Sequence, residues 1–190
     1  MPGAVARDVV VEPQGEFAEI VMEPSTGEFN RLLKKDRKAI ERVIANPGNY
    51  NPPVLYALSY ALFETGRKDE APQWFYLGQL RARSDANKSL DTSAQQGVDV
   101  LNHNFGGPIN QYAMTDLTTL ETTVNRVVEL DAKLPRNYDP RWIALHGADA
   151  FSEVKVRFEP KSKWSGIDQR SRKTYLAEFH DILPSLKSQL

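Results

Sequence analysis

A mainly α-helical fold is predicted by three features of the sequence. Apolar residues recur at threes and fours along most of the chain, prolines and glycines stand where that period breaks, and strict alternation occurs only near residues 151–158. The expected architecture is a helical bundle or helical array with one short extended segment.

Residues 1–27 read as an irregular N-terminal arm punctuated by Pro13, Gly15, Pro24 and Gly27. Val9-Val10-Val11 and Ile20-Val21-Met22 are its only strand-like pieces. A single helical domain is expected over 28–190. Its first helix, 28–45, places Phe29, Leu33, Ile40, Val43 and Ile44 on one face, with Ser25 or Thr26 as cap and Asn46-Pro47-Gly48 as stop. The next helix begins at Pro52-Pro53, where a missing amide proton costs nothing, and is apolar nearly all round through Phe63, so it belongs at the centre of the packing. Gly66 suits a helix exit, Asp69 a cap, and Trp74 to Leu80 the body of a third helix.

A fourth helix is expected over 92–104, stopped by Gly106-Gly107-Pro108. Asp116 caps a long amphipathic stretch carrying Leu117, Leu120, Val124, Val127, Leu130 and Leu134. Asp139-Pro140 opens a short helix closing at Gly147. Val154, Val156 and Phe158 alternate with Glu153, Lys155 and Arg157, which predicts the extended segment, and a last helix is expected over 168–183.

Composition narrows the function. With 24 Lys and Arg against 25 Asp and Glu, the net charge of −1 supplies no global field for nucleic acid or an anionic membrane. The absence of cysteine removes thiol catalysis, disulfides and Cys-based zinc sites. No apolar run reaches the roughly 18 residues of a membrane span, and the opening residues do not read as an intact signal peptide. The compartment, cytoplasm or periplasm, is left open by these features.

Leu55 to Phe75 resembles a tetratricopeptide helical hairpin. Leu58 stands at the family's leucine position, Leu55 three residues earlier where the family has tryptophan, Gly66 in the turn, and Ala71 and Phe75 at the alanine and aromatic positions of the second helix. Ser59 replaces a glycine, Leu62 a tyrosine, and no proline closes the unit after Arg83. No second copy follows at the family's period of about 34 residues. The resemblance implies a hairpin that binds a protein partner and performs no chemistry. Size, balanced charge and the lack of catalytic motifs are similar to those of bacterial immunity proteins, which neutralise a cognate toxin.

Three consecutive aromatic residues, Trp74, Phe75 and Tyr76, cannot all enter one seam, because about 100° of helix rotation separates neighbours. Trp74, Tyr76, Arg81 and Arg83 are therefore the protein-interface candidates, against the alternative of a buried aromatic core with Arg81 paired inside it. An enzyme or ligand-binding alternative uses His103 and Asn104, in an amide- and glycine-rich segment expected to be a loop, or His146 with Asp149 as its acidic orienter. A third alternative places nucleic acid on the basic face of residues 31–42. No metal or cofactor motif is present. The leading expectation is a non-enzymatic protein-binding protein, an immunity protein or inhibitor of a toxin.

Overall fold

In the computed structural model, which describes residues 12–188, eight α-helices carry the fold: α1 (Ser25–Leu33), α2 (Arg37–Ala45), α3 (Pro52–Glu64), α4 (Ala71–Ala86), α5 (Gln95–Ala113), α6 (Leu117–Lys133), α7 (Asp149–Ser152) and α8 (Lys161–Lys187). Short 3-10 turns complete it, the longest at Pro140–His146. The protein is a helical bundle, and among the described residues it has no strand.

α3 and α4 form the centre as an antiparallel hairpin. Ser59 donates its hydroxyl to the Ala71 carbonyl at 2.7 Å, Tyr56 packs edge-on against Phe75, and Gly78 lies against Leu55 and Tyr56, so the paired positions run in opposite directions. Gly66 turns the chain at a φ of 88°, in the left-handed region where a side chain is strained. Val54, Leu55, Tyr56, Ala57, Leu58, Ala61 and Leu62 are fully buried, which explains why no polar face interrupts this segment. Each large apolar side chain buried here contributes roughly 1.5–3 kcal/mol over its exposed form. α1 packs on α3, while α4 also carries α5, α6 and α8 on its remaining faces.

Several boundaries differ from the sequence expectation. The helix expected over 28–45 is broken into α1 and α2: Lys35 adopts a φ of 60°, and Asp36 accepts from the Lys38 and Ala39 amides to start a new helix. The break lets Arg31 and Arg42 converge on the buried Glu28, at 2.7 and 3.1 Å. Neither Ser25 nor Thr26 caps α1. Pro24 precedes it, and the Ser25 hydroxyl instead accepts from the Asn51 amide. Asp69 does not cap α4, because its carboxylate accepts a hydrogen bond from the Tyr112 hydroxyl.

α5 runs straight through Gly106-Gly107-Pro108. Proline removes one amide donor, but the helix is held from outside: Gly106 allows Phe75 to approach so closely that a Cβ would sit 3.0 Å from its ring. The extended segment expected at 151–158 is also corrected. Its first residues belong to α7, and the rest makes an isolated bridge, Phe158 with Ser89, while Glu16 donates its amide to the Val154 carbonyl and accepts from the Val156 amide. Alternation supplied two faces without a neighbouring strand to pair with. α8 begins at Lys161, two turns before the expected start, directly after Pro160.

Of the N-terminal arm, Val9-Val10-Val11 lies outside the described residues. Ile20-Val21-Met22 is no strand. Ile20 and Phe17 are buried in a small cluster with Ala144, with Val156 packed against it.

Candidate functional site

α5 and α8 both rest on α4 and leave a groove between them. Its floor is α4, through Tyr76, Gln79 and Arg83, and its walls are α5 on one side and α8 on the other, with α6 closing one end. Along α8 the wall is a stripe at helical spacing from Ile167 to Leu186. Nineteen steps at a rise of 1.5 Å make the groove about 28 Å long.

The two ends differ in chemistry. At one, Asn87, Gln95 and Asn102 meet Ser171, Thr174 and Tyr175 around a volume of about 720 Å³. At the other, Met114, Leu120 and Val124 meet Phe179, Ile182 and Leu186 around about 460 Å³. Arg83 and Glu178 line both volumes and join across the middle at 2.9 Å, with the Arg83 guanidinium 5.3 Å above the Tyr175 ring. The pair neutralises the centre of the groove.

Its floor is wired by hydrogen bonds. The Tyr175 hydroxyl donates to Gln79 Oε1 at 2.7 Å, and Gln79 Nε2 donates to Asn102 Oδ1 at 2.9 Å. Tyr56 donates to the same Asn102 oxygen at 2.8 Å, and Tyr76 to Asn110 Oδ1 at 2.9 Å. Burial raises all three phenols far above their ordinary value, so each remains a neutral donor at physiological pH.

A buried ionic network holds the groove's helices in place. Arg81 and Asp131 are both fully buried and meet at 2.7 Å, tying α4 to α6. Asp131 also accepts from Arg136 and Arg172, at 2.9 and 3.0 Å. Asp85 accepts from Lys88, Tyr138 and Trp142, and Asp168 of α8 accepts from Ser84 and Lys88. Each of these aspartates already faces several donors, which suits fixing helices rather than exchanging protons with a substrate.

The sequence-derived interface candidates divide. Tyr76 and Arg83 line the groove. Trp74 is buried in the main core, and Arg81 lies inside the bundle paired with Asp131. Of the alternative ligand site, His103 and Asn104 are exposed on the continuous helix α5, not in a loop. The helix has its own backbone donors occupied, so the paired glycines offer none to a ligand.

His146 and Asp149 share no hydrogen bond. Asp149 is engaged by Arg157 at 2.7 and 3.0 Å, while the His146 ring stacks edge-on to Trp142 at 5.7 Å. The surrounding mass lowers the imidazole's pKa. No acid–histidine dyad forms there. Half of the basic face of 31–42 is paired, Arg31 and Arg42 with Glu28 and Lys35 with Glu64, while Lys34, Arg37 and Lys38 form no ion pair among the described residues. Among the described residues, no group of three His, Asp or Glu could hold a metal ion, and no helix is long and apolar enough to cross a membrane.

The groove also uses residues that the sequence reading placed elsewhere. Tyr175, Phe179 and Ile182 fall in the helix expected over 168–183, Asn102 in the helix expected over 92–104, and Asn110 beyond its expected stop at Gly106-Gly107-Pro108. Helical spacing with Val98 and Ile109 signals a shared wall for Asn102, but Asn110 follows Ile109 directly, about 100° round the helix, and carries no such signal. Comparison with protein-family models, with characterised proteins and with solved structures finds no match to this chain.

Proposed function

We propose that this chain is a non-enzymatic protein-recognition module, of the kind that inhibits or neutralises a partner such as a toxin, and that it binds its partner in the groove over α4. The observation that carries this reading is the groove's shape and chemistry together. Its length of about 28 Å at 1.5 Å per helical residue suits a polypeptide segment better than a small metabolite. An electrically balanced, amide-lined half beside an apolar half suits a segment with both main-chain and side-chain contacts.

Met114 and Ile182 support the same reading. They are 40% and 54% exposed although both are apolar and both line the groove. Apolar side chains at the edges of a groove are surfaces a partner can bury. Arg83 and Tyr76 on the floor, with Tyr175 on the α8 wall, add residue types that concentrate binding energy at interfaces.

A direct test uses the product of a neighbouring gene as bait. Wild-type chain should be retained on it, and Ile182→Asp, which alters an exposed side chain and leaves the helix intact by circular dichroism, should not. Equal retention of both proteins would rule the groove out. Turnover of a small substrate by a folded sample without any stable partner would rule out the recognition role.

A further inference from the structure

One ion pair crosses the centre of the groove, and its two members are held differently. We propose that Arg83 is the groove's charge-reading residue, which takes the carboxylate of an acidic side chain of the partner protein, and that Glu178 is a built-in competitor that gives way on binding. The proposal rests on the recognition reading above and adds the charge of the bound surface and the contact that opposes binding.

Arg83 is fixed by packing. Its guanidinium lies 5.3 Å above the Tyr175 ring, within the range of a cation–π contact. Tyr175 is buried and donates its hydroxyl to Gln79 Oε1 at 2.7 Å, so the platform beneath the guanidinium is itself held. Among the described residues the guanidinium makes one hydrogen bond, from Nη1 to Glu178 Oε2 at 2.9 Å. A guanidinium carries several donors in a rigid fork that matches a carboxylate bidentately, so most of this fork is unspent. The side chain is 40% exposed and lines both halves of the groove, so an occupant of either half meets it.

Glu178 is held by that one bond. Its side chain is 58% exposed on α8, and among the described residues its carboxylate has no other partner. Exposed pairs of this kind contribute little to stability, so turning the carboxylate out into solvent costs little. Arg83 lacks the same freedom, because leaving the pair also means leaving Tyr175. An incoming carboxylate can therefore take the place of Glu178. An incoming cation would instead have to sit beside a guanidinium that stays, and like charges would face each other in the centre of the groove. A polyphosphate backbone fits poorly, since nucleic-acid binding neutralises many phosphates at once and this groove sets Arg83 and Arg170 beside Asp99 and Glu178. Ile182 lies one helical turn beyond Glu178, so the acidic group arrives next to the apolar half of the groove.

The experiment pans a library of random linear 12-residue peptides against the intact chain and measures the affinity of the tightest peptide for four proteins: wild type, Arg83→Gln, Glu178→Gln and Ile182→Asp. The peptide should carry Asp or Glu. Arg83→Gln should weaken binding about tenfold, the size of one charge-assisted hydrogen bond. Glu178→Gln should tighten it about two- to fivefold, the worth of an exposed pair that no longer competes. Changing the peptide's acid to the corresponding amide, which leaves the protein untouched, should cost wild type about tenfold and Arg83→Gln nothing further. An Arg83→Gln variant that binds as well as wild type, or a Glu178→Gln variant that binds no tighter, overturns the proposal. So does a basic peptide that Glu178→Gln weakens, or a DNA oligonucleotide that displaces the peptide. In each case a loss of binding in Ile182→Asp leaves the groove standing. A peptide indifferent to Ile182→Asp, or a library that yields none, overturns the groove as well.

Discussion

Replacing Asp131 with asparagine tests the ionic network that sets the groove's width. The Asp131 carboxylate is fully buried and receives Arg81 at 2.7 Å, Arg136 at 2.9 and 3.1 Å, and Arg172 at 3.0 Å. Asparagine preserves the volume but removes the charge opposite three guanidinium groups, and Arg81 has no route to water. Breaking a buried pair from one side costs about 3–5 kcal/mol. At about 2–4 °C per kcal/mol for a chain of this size, the melting temperature should fall by about 6–20 °C. Far-UV circular dichroism during heating, with urea midpoints as a second measure, reads the loss. Arg81→Met combined with Asp131→Leu should recover part of it, since an apolar pair of similar volume leaves no orphaned charge at that point. A melting temperature for Asp131→Asn within about 2–4 °C of wild type, the equivalent of 1 kcal/mol, would refute the network's structural role.

Three further outcomes follow from the same geometry. Burial raises the Asp131 carboxyl, but Arg136 and Arg81, with hydrogen bonds from Arg81 and Arg172, outweigh it and hold the group below its ordinary value. A depressed carboxylate stabilises the fold above its unfolded pKa of about 3.9 and loses that contribution as pH falls through the folded value. Urea titrations from pH 6 downward, with pH 6 taken as about two units above that unfolded value, should therefore show an acid-dependent decline that is shallower in Asp131→Asn. His146 has the opposite charge type with the same direction: crowding by its neighbours lowers its pKa although the residue stays exposed, so a small part of the stability is lost as pH drops below the unfolded value of about 6.5. His146→Gln should flatten stability over that interval. Finally, Gly107→Ala should stabilise by less than the about 1 kcal/mol that helix propensity alone supplies, because no atom beyond its own helix turn and chain neighbours lies within 4 Å of the new methyl group, but the ring of Pro108 disfavours the helical conformation for a side-chain-bearing residue before it. Gly106→Ala, one residue earlier, should destabilise by about 1–3 kcal/mol through overpacking against Phe75. Equal effects of the two alanines in urea melts would contradict the close packing of α5 on α4.

The helical hairpin was legible because its signals are local. Pro52-Pro53 marks the start, Gly66 supplies the positive φ, and the unbroken apolar run from Val54 to Leu62 follows from burial on every side. The break at Lys35 was not legible, since a lysine in the left-handed region carries no propensity signal. Its cause is tertiary, in the convergence of Arg31 and Arg42 on Glu28. Pro108 misled for the mirror reason: proline and two glycines state a local preference for an end, and packing against Phe75 overrides it. Val154 to Phe158 alternates as a strand should, yet pairing requires a neighbour that no local pattern can supply.

The groove was legible only in fragments. Tyr76 and Arg83 stood out as an aromatic and an arginine of the kind that interfaces use, and both line it. Trp74 and Arg81 carried the same signal and lie inside. The difference is a rotation about α4 that is set by where α5, α6 and α8 dock, and Arg81 meets a partner fifty residues away. Residues such as Asn102 and Tyr175, joined through Gln79, belong to three helices. Their convergence is a property of packing, not of spacing.

Methyl resonances of the intact chain give the most direct test of the groove as a recognition surface. With methionine and isoleucine methyl groups labelled, the bound partner, or a peptide selected on the folded chain, should shift Met114 and Ile182 while leaving Met22 and Ile44, which pack beyond the groove beneath the N-terminal arm and α2, unmoved. Shifts at Met22 and Ile44 with Met114 and Ile182 unchanged would place recognition on another face and contradict the account.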